Sequence, residues 1–291
     1  MNNYLHYNLC IGYRNIRNLV AAVVVLVFLS TLATAGNAAV DSLPKSVAKV
    51  GDPLLATIST EQDTHWQYAR SIVYKSVREL LQQHKAELDK GITYHKLVHG
   101  DINRKEIALT FDDGPHMDFT PKLLEILKKC NVKATFFVVG EMAEKNPDLI
   151  RAEVAAGHSV ANHTYHHVNL TKIPEEYVAT EIKACGEVIK SITGKAPHLF
   201  RPPGGDYNKQ VAQVSVALDY TMVLWTDDPA DYANPGVSVL DSRLMNRISP
   251  GGIILIHDGA KETLDVLPKV INRLKSKGYK FVTVDEMIKN K

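Results

Sequence analysis

Two adjacent carboxylates, Asp112 and Asp113, end the apolar run Ile107-Ala108-Leu109 within the stretch Thr110-Phe111-Asp112-Asp113-Gly114-Pro115. A Gly-Pro turn and a helix start follow at once. Adjacent side chains on a strand point to opposite faces, but a strand end that twists into a turn can project both carboxylates into one site, with different roles. Like charges this close raise each other's pKa, so the pair is costly for stability alone. A metal ion that takes one of the carboxylates relieves the repulsion. Further along stands His163-Thr164-Tyr165-His166-His167. Two histidines four apart, His163 and His167, can bind one metal from a helical turn or a tight loop. With one carboxylate they make a His-His-Asp set that leaves positions open for water and substrate, which suits a catalytic zinc or a similar divalent ion. His166 points elsewhere if its two neighbours share a face.

The elements that must position these groups alternate between strand and helix from about Lys105. Thr120-Pro121 caps a helix with Leu123, Leu124 and Leu127 on one face, and Ala134 to Val139 reads as a buried strand. Asn146-Pro147 starts a helix that Gly157 ends. Ser159 to Asn162 is a short strand, Glu175 to Ile192 a helix, Leu199 to Arg201 a strand end, and Asn208 to Leu218 a helix. Strands at Thr221 to Trp225, Ile253 to Ile256 and Phe281 to Val284 alternate with helices at Ser238 to Ile248 and Leu264 to Lys277. About seven strand–helix units imply a parallel barrel or a doubly wound sheet. In a parallel barrel, active residues sit at the C-terminal ends of strands. The ionisable groups fall there: Asp112 and Asp113, His163 and His167, Arg201, the run Trp225 to Asp228, and His257 with Asp258.

A net charge of +2 over 291 residues excludes a strongly basic nucleic-acid binder. Cys10, Cys130 and Cys185 are far apart and form no CxxC pair, so no zinc ribbon or disulfide framework is indicated, and a single Cys130–Cys185 bridge stays open. The N-terminus has the form of an export signal: Arg14 and Arg17, the unbroken apolar run Leu19 to Leu29, then the small residues Ala33-Thr34-Ala35 and Gly36-Asn37-Ala38. Residues 1–38 are therefore a signal peptide or an uncleaved membrane anchor, and the rest of the chain is expected outside the cytoplasm. Residues 39–104 read as a linker followed by an amphipathic helix from Gln62 to Leu88, capped by Ser59 or Thr60. Trp66, Ala69, Val73, Val77, Leu80 and Leu81 form its apolar face, which is expected to pack on the domain at 105–291.

Five motifs in that last region resemble the polysaccharide deacetylases of carbohydrate esterase family 4, the NodB homology domain. They are Thr-Phe-Asp-Asp-Gly-Pro at 110–115, His-Thr-x-x-His at 163–167, Arg-Pro-Pro-Gly-Gly at 201–205, Trp-Thr-Asp-Asp-Pro-Ala-Asp-Tyr at 225–232, and Leu-Ile-His at 255–257. The resemblance covers about residues 105 to 288. It implies a distorted (β/α) barrel with fewer than eight units, in agreement with the unit count.

The resemblance also implies roles. Asp113, His163 and His167 hold the metal: zinc, with cobalt or nickel as alternatives. Asp112 is the general base that takes a proton from the attacking water. Arg201 holds Asp112 ionised through a charge-assisted bond. His257 is the general acid for the departing amine, and Asp228 orients it. A backbone N–H near Gly204 shares the oxyanion with the metal, and Leu255 and Trp225 wall the acetyl methyl. Two positions depart from the commoner pattern. Gly204 stands where an aromatic side chain is usual, and Tyr232 where tryptophan is usual. Neither change touches metal, base or acid, but both reshape the sugar groove. The expected activity is hydrolysis of acetamido groups on an N-acetylglucosamine-containing glycan, peptidoglycan or chitooligosaccharide. The alternatives are an O-acetyl esterase on acetylated xylan or another acetylated glycan, an amidase on a small molecule, or a non-catalytic glycan-binding module of the same fold.

Overall fold

The structure, a computed structural model, describes residues 70–290. The expected export signal and linker lie outside the described residues, as do Trp66, Ala69 and the expected caps Ser59 and Thr60. Among the described residues, no helix is long and apolar enough to cross a membrane.

Residues 71–76 are not helical, and helix α1 runs from Val77 to Asp89. The single helix expected from Gln62 to Leu88 is therefore interrupted at 71–76. The reason is a capping box: the Ser76 side chain accepts from the Glu79 N–H, and the Glu79 carboxylate accepts from the Ser76 N–H at 2.8 Å. Reciprocal bonding of this kind satisfies two orphan donors and fixes a helix start. Val73, expected on the apolar stripe, is 77 % exposed ahead of the helix, whereas Leu80 is fully buried and joins the core as expected.

The sheet is parallel throughout: β1 (Lys96–Leu97), β2 (Glu106–Asp112), β3 (Thr135–Val138), β4 (Ser159–Asn162), β5 (Leu199–Phe200), β6 (Thr221–Val223), β7 (Gly252–His257) and β8 (Lys280–Val282). Its order is β1-β6-β5-β4-β3-β2-β7, with β8 also paired to β2. Beyond β6 the chain turns back to β7, where Asp227 bridges Ile254 and the Leu255 N–H donates to the Asp227 carbonyl at 2.9 Å. That contact draws the two ends of the sheet together into the distorted barrel. β1 precedes the boundary expected at 105. Its two residues pair with Met222 and Val223 of β6, so the sheet recruits part of the stretch expected as linker and helix.

Helices α2 (Thr120–Lys129), α3 (Gly140–Lys145), α4 (Pro147–Ala155), α5 (Glu175–Thr193), α6 (Lys209–Ala217), α7 (Val237–Arg247), α8 (Lys261–Ser276) and α9 (Val284–Lys289) complete the strand–helix units from β2 onward. The six-residue helices α3 and α9 were not visible in the apolar periodicity, because each is shorter than two turns.

The strand period of two divides the core. On β2, Ile107, Leu109 and Phe111 face outward onto Leu123 and Leu127 of α2 and Val266 and Ile271 of α8. The intervening Ala108 joins the inner cluster with Phe137, Phe200, Met222, Ile253 and Leu255. The same alternation sends Thr110 and Asp112 inward, and on β7 it sends His257 inward. In register Asp112 is the direct partner of His257. The proposed base and acid therefore emerge side by side at one end of the barrel. Cys130 and Cys185 are free thiols, Cys185 being fully buried, so the bridge left open by the sequence is not formed.

Candidate active site

Asp113, His163 and His167 meet. Asp113 Oδ1 lies 3.0 Å from His167 Nε2 and 3.5 Å from His163 Nε2, and one ligand atom from each residue lies within 4.8 Å of the others. Getting them there needs unusual backbone. Asp113 has φ 72°, Thr164 φ 68° and His167 φ 53°. Left-handed backbone at a non-glycine residue is uncommon and clusters at functional sites. At Asp113 it breaks the strand alternation, so both carboxylates enter the same cleft.

His163 is oriented from behind. Its Nδ1 is 2.8 Å from the Arg201 carbonyl, which can only accept, so Nδ1 carries the proton and Nε2 presents a lone pair to the cleft. His166 points away, its ring bonded to Glu181 at 2.7 Å. Burial works to raise the Asp113 carboxyl, but His167 and His163 outweigh it and hold it well below the usual carboxylate range. Asp113 Oδ1 and His167 Nε2 are buried without a hydrogen-bond partner. Buried polar atoms are ordinarily satisfied, and these two aim at a common point. Two imidazole nitrogens and a carboxylate oxygen fit a divalent ion of the zinc type.

Two buried ion pairs flank these donors. Arg201 is fully buried, and its Nη1 donates to Asp112 Oδ1 at 2.6 Å and to Thr110 Oγ1 at 2.8 Å. The Val223 and Leu224 carbonyls take its other bonds, and its guanidinium lies 4.0 Å from the centroid of the Phe137 ring. Asp112 Oδ2 lies 3.5 Å from His163 Nε2.

The partner of His257 differs from the expectation. Asp231, not Asp228, accepts from His257 Nδ1 at 2.6 Å, and its other oxygen accepts from the His257 N–H at 2.8 Å and from Thr263 Oγ1 at 2.7 Å. Asp228 instead accepts from the Ala230 N–H at 2.8 Å and stands 3.4 Å from the Tyr232 hydroxyl, closing its own turn. The reversal at Ala230, φ 57°, swings the chain so that the later aspartate of the 225–232 motif faces β7. The signal was present in that motif, where Asp231 stands three residues beyond Asp228. Burial works to lower the His257 imidazole. The bond and charge of Asp231 outweigh it, aided by Asp113 and Asp112, and push it up to about 9. Its Nε2 is buried without a partner. Asp258, also at the end of β7, bonds to Thr120 at the head of α2.

Of the expected substrate-binding residues, Tyr232 is 40 % exposed and Gly204 is buried at φ 66°, against Ile72 and Val73. Trp225 and Leu255 are 1 % and 0 % exposed. Trp225 packs so closely on Gly205 that a Cβ there would sit 2.5 Å from its ring. These two side chains support the floor of the site and present no open surface to an acetyl group. A residue that no motif announced also reaches the site. Tyr74 stacks on Tyr232 with centroids 4.2 Å apart and meets the His257 ring edge-on at 5.3 Å. Burial, then the charges of Asp113, Asp112 and Asp231, push its phenol far up, so it stays protonated.

Comparison with known proteins agrees with this geometry. The polysaccharide deacetylase family model matches residues 99–223. A peptidoglycan-N-acetylglucosamine deacetylase of Bacillus cereus is 38 % identical over 192 residues, 65 % of this chain and 70 % of that protein. The peptidoglycan-N-acetylmuramic acid deacetylase PdaA of Bacillus subtilis is 29 % identical over 247 residues, 84 % of this chain and 92 % of that protein. The crystal structure of the peptidoglycan N-acetylglucosamine deacetylase Bc1960, bound to a benzamide derivative, superimposes with a TM-score of 0.66 at 35 % identity, covering 69 % of this chain and 95 % of that one. With its fold and five motifs in the same frame, the chain belongs to the polysaccharide deacetylases of carbohydrate esterase family 4, hydrolases of amide bonds.

Proposed function

We propose that the protein is an exported N-deacetylase of N-acetylglucosamine-containing glycan, with peptidoglycan as its polymer, and that it works with one zinc ion on Asp113, His163 and His167. One observation carries the reading. A metal-type donor set with orphaned atoms lies between a carboxylate held by a buried cation and an imidazole held by a buried carboxylate. The choice of peptidoglycan rests on the relatives named above, and export rests on the pattern of residues 14–38.

The zinc would supply Lewis-acid polarisation of the acetamide carbonyl and would acidify a water. The remaining work falls to the chain. Asp112, oriented by Arg201, accepts the proton of the attacking water through Oδ2, the oxygen not taken by the guanidinium. His257, doubly protonated at neutral pH, donates from Nε2 to the departing amine while Nδ1–H stays on Asp231. The acid is needed because an amine leaves poorly as an anion. The Tyr232 ring, 40 % exposed, stands beside His257 at this cleft.

The test is acetate release, read by mass spectrometry, from peptidoglycan fragments, chitooligosaccharides and acetylated xylan, together with elemental analysis of protein purified without chelator. Loss of acetamido acetate from peptidoglycan fragments, with about one zinc per chain, is the expected result. Release from xylan alone would move the activity to ester hydrolysis. A His163→Ala variant that keeps stoichiometric metal and full activity would sink the ligand assignment. Fractionation with N-terminal sequencing tests export, and a full-length cytosolic chain would defeat it.

A further inference from the structure

The expected effect of Gly204 was the loss of a side-chain wall beside the cleft. The space is filled from elsewhere in the chain. Residues 72–75 cross Gly204 as a strap that precedes α1 and lies outside the region matched by the family model. The Lys75 N–H donates to the Gly204 carbonyl at 2.9 Å, and Lys75 Nζ pairs with Asp206 Oδ1 at 3.2 Å. Asp206 is held in turn by Asn169 at 3.0 Å and Thr171 at 2.8 Å. A Cβ built on Gly204 would lie 2.8 Å from Ile72 Cγ2 and 2.9 Å from the Val73 carbonyl oxygen. Real Cβ atoms do not approach that closely, so the strap and a side chain at 204 exclude each other.

The strap carries Tyr74 into the cleft. The rings of Tyr74 and Tyr232 are nearly parallel, 16° apart, and both meet His257 edge-on with centroids at 5.3 Å. His257 Nε2 is the unpartnered atom of that imidazole. The aromatic pair therefore stands beside the ring that carries this atom. Tyr74 also lines a cavity of about 350 Å³ with Ser71, Lys75, Asn169 and Asp206, so it borders open volume on the outer side of the site. Aromatic rings offer large, rigid contact area at low entropic cost.

We propose that Tyr74 is a substrate-contacting residue of this enzyme, its ring supplying from the N-terminal strap the glycan wall that Gly204 cannot. The inference rests on the deacetylase reading above and adds a specificity-determining residue from outside the catalytic domain's motifs.

The test compares Tyr74→Ala, Tyr74→Phe, Gly204→Ala and the double variant Tyr74→Ala/Gly204→Ala in the full chain. Substrates are the best glycan of the panel and 4-nitrophenyl acetate, which is too small to need a wall. Tyr74→Ala is expected to raise KM for the glycan by about 10–30-fold, the range for truncating a well-packed contact. The rise in KM should exceed any fall in kcat, and metal content should stay near wild type. Tyr74→Phe keeps the ring and should keep KM near wild type. Gly204→Ala should displace the strap and raise KM, with no further rise when added to Tyr74→Ala. An unchanged glycan KM in Tyr74→Ala, equal losses in the Phe and Ala variants, or full additivity in the double variant would each overturn the assignment. These results are separable from failure of the deacetylase reading, because that failure appears as a wild-type protein inactive on every acetylated glycan.

Discussion

The two ion pairs beside the metal donors have the same length and opposite polarity. Arg201–Asp112 and His257–Asp231 are both closed at 2.6 Å and both are almost fully buried. In the first the cation is the anchor and the carboxylate faces the cleft; in the second the carboxylate is the anchor and the cation faces the cleft. In each pair the anchor has used up its bonding capacity. Arg201 is spread over Asp112, Thr110 and two carbonyls, and Asp231 over His257, Thr263 and the Tyr232 N–H. The facing member keeps one atom unspent: Asp112 Oδ2 on one side and His257 Nε2 on the other. Geometry of this kind presents a carboxylate oxygen and an imidazole nitrogen to one cavity, each fixed from behind by a partner of opposite type.

The comparison breaks most visibly if the facing members are removed. Asp112→Asn and His257→Ala should each lower kcat/KM on an acetamide by about 10²–10⁴-fold, with metal content near wild type. On an activated aryl acetate the two should part company. Asp112→Asn should stay severe, while His257→Ala should lose much less, because a phenolate leaves without a proton. Equal losses on both substrates would remove His257 from leaving-group protonation.

The anchors come next. Asp231→Asn should cost about 10–100-fold, the usual range for a residue that orients a catalytic ligand or base, and should also move the alkaline limb of the pH–rate profile. The sign follows from the raised imidazole. If His257 is the proposed acid, activity needs its protonated form; Asp231 pushes the imidazole up to about 9, so the limb lies on the alkaline side and must move to lower pH when the carboxylate is neutralised. A cation on the neighbouring donors repels the imidazolium, so the limb in the metal-loaded enzyme should lie below 9. An alkaline limb that does not move in Asp231→Asn would assign it to another group.

On the opposite side, Arg201→Met leaves a buried carboxylate without its partner. The expected cost is about 3–5 kcal/mol of stability, read by denaturant unfolding, with a smaller loss in Asp112→Asn/Arg201→Met than in Arg201→Met alone. A single variant as stable as wild type would mean that Asp112 is not held as a charge.

The smallest effect separates the two aspartates of one motif. Asp228→Asn should change kcat/KM by only about threefold and leave the alkaline limb in place, because Asp228 bonds to its own turn and not to His257. A shift of the limb as large as that in Asp231→Asn would restore Asp228 to the orienting role and undo the contrast.

Much of this was legible in the sequence for a local reason. Strand alternation is a property of the backbone, so once Ile107, Leu109 and Phe111 are assigned outward, Asp112 must face in, and Gly-Pro directly after Asp113 marks the turn that brings the second carboxylate round. The spacing of His163 and His167 likewise lies within one loop. The strand–helix count gave a parallel barrel or a doubly wound sheet, because each unit writes its own apolar pattern, and the family resemblance chose the barrel. The short helices α3 and α9 and the two-residue strand β1 escaped, since segments that short carry no period.

Tertiary structure alone decided the rest. Whether Asp228 or Asp231 reaches His257 depends on a left-handed turn at Ala230 and on Thr263 of α8, which waits to share the carboxylate. Trp225 and Leu255 carry the side chains of a pocket wall but lie beneath the surface, because the barrel interior closes over them. Tyr74 reaches Tyr232 and His257 across most of the chain's length, a contact that no local pattern encodes. The physical division is one of range. Backbone period and short loops determine which groups can face a common point, while non-local packing determines which of several chemically equivalent side chains arrives there.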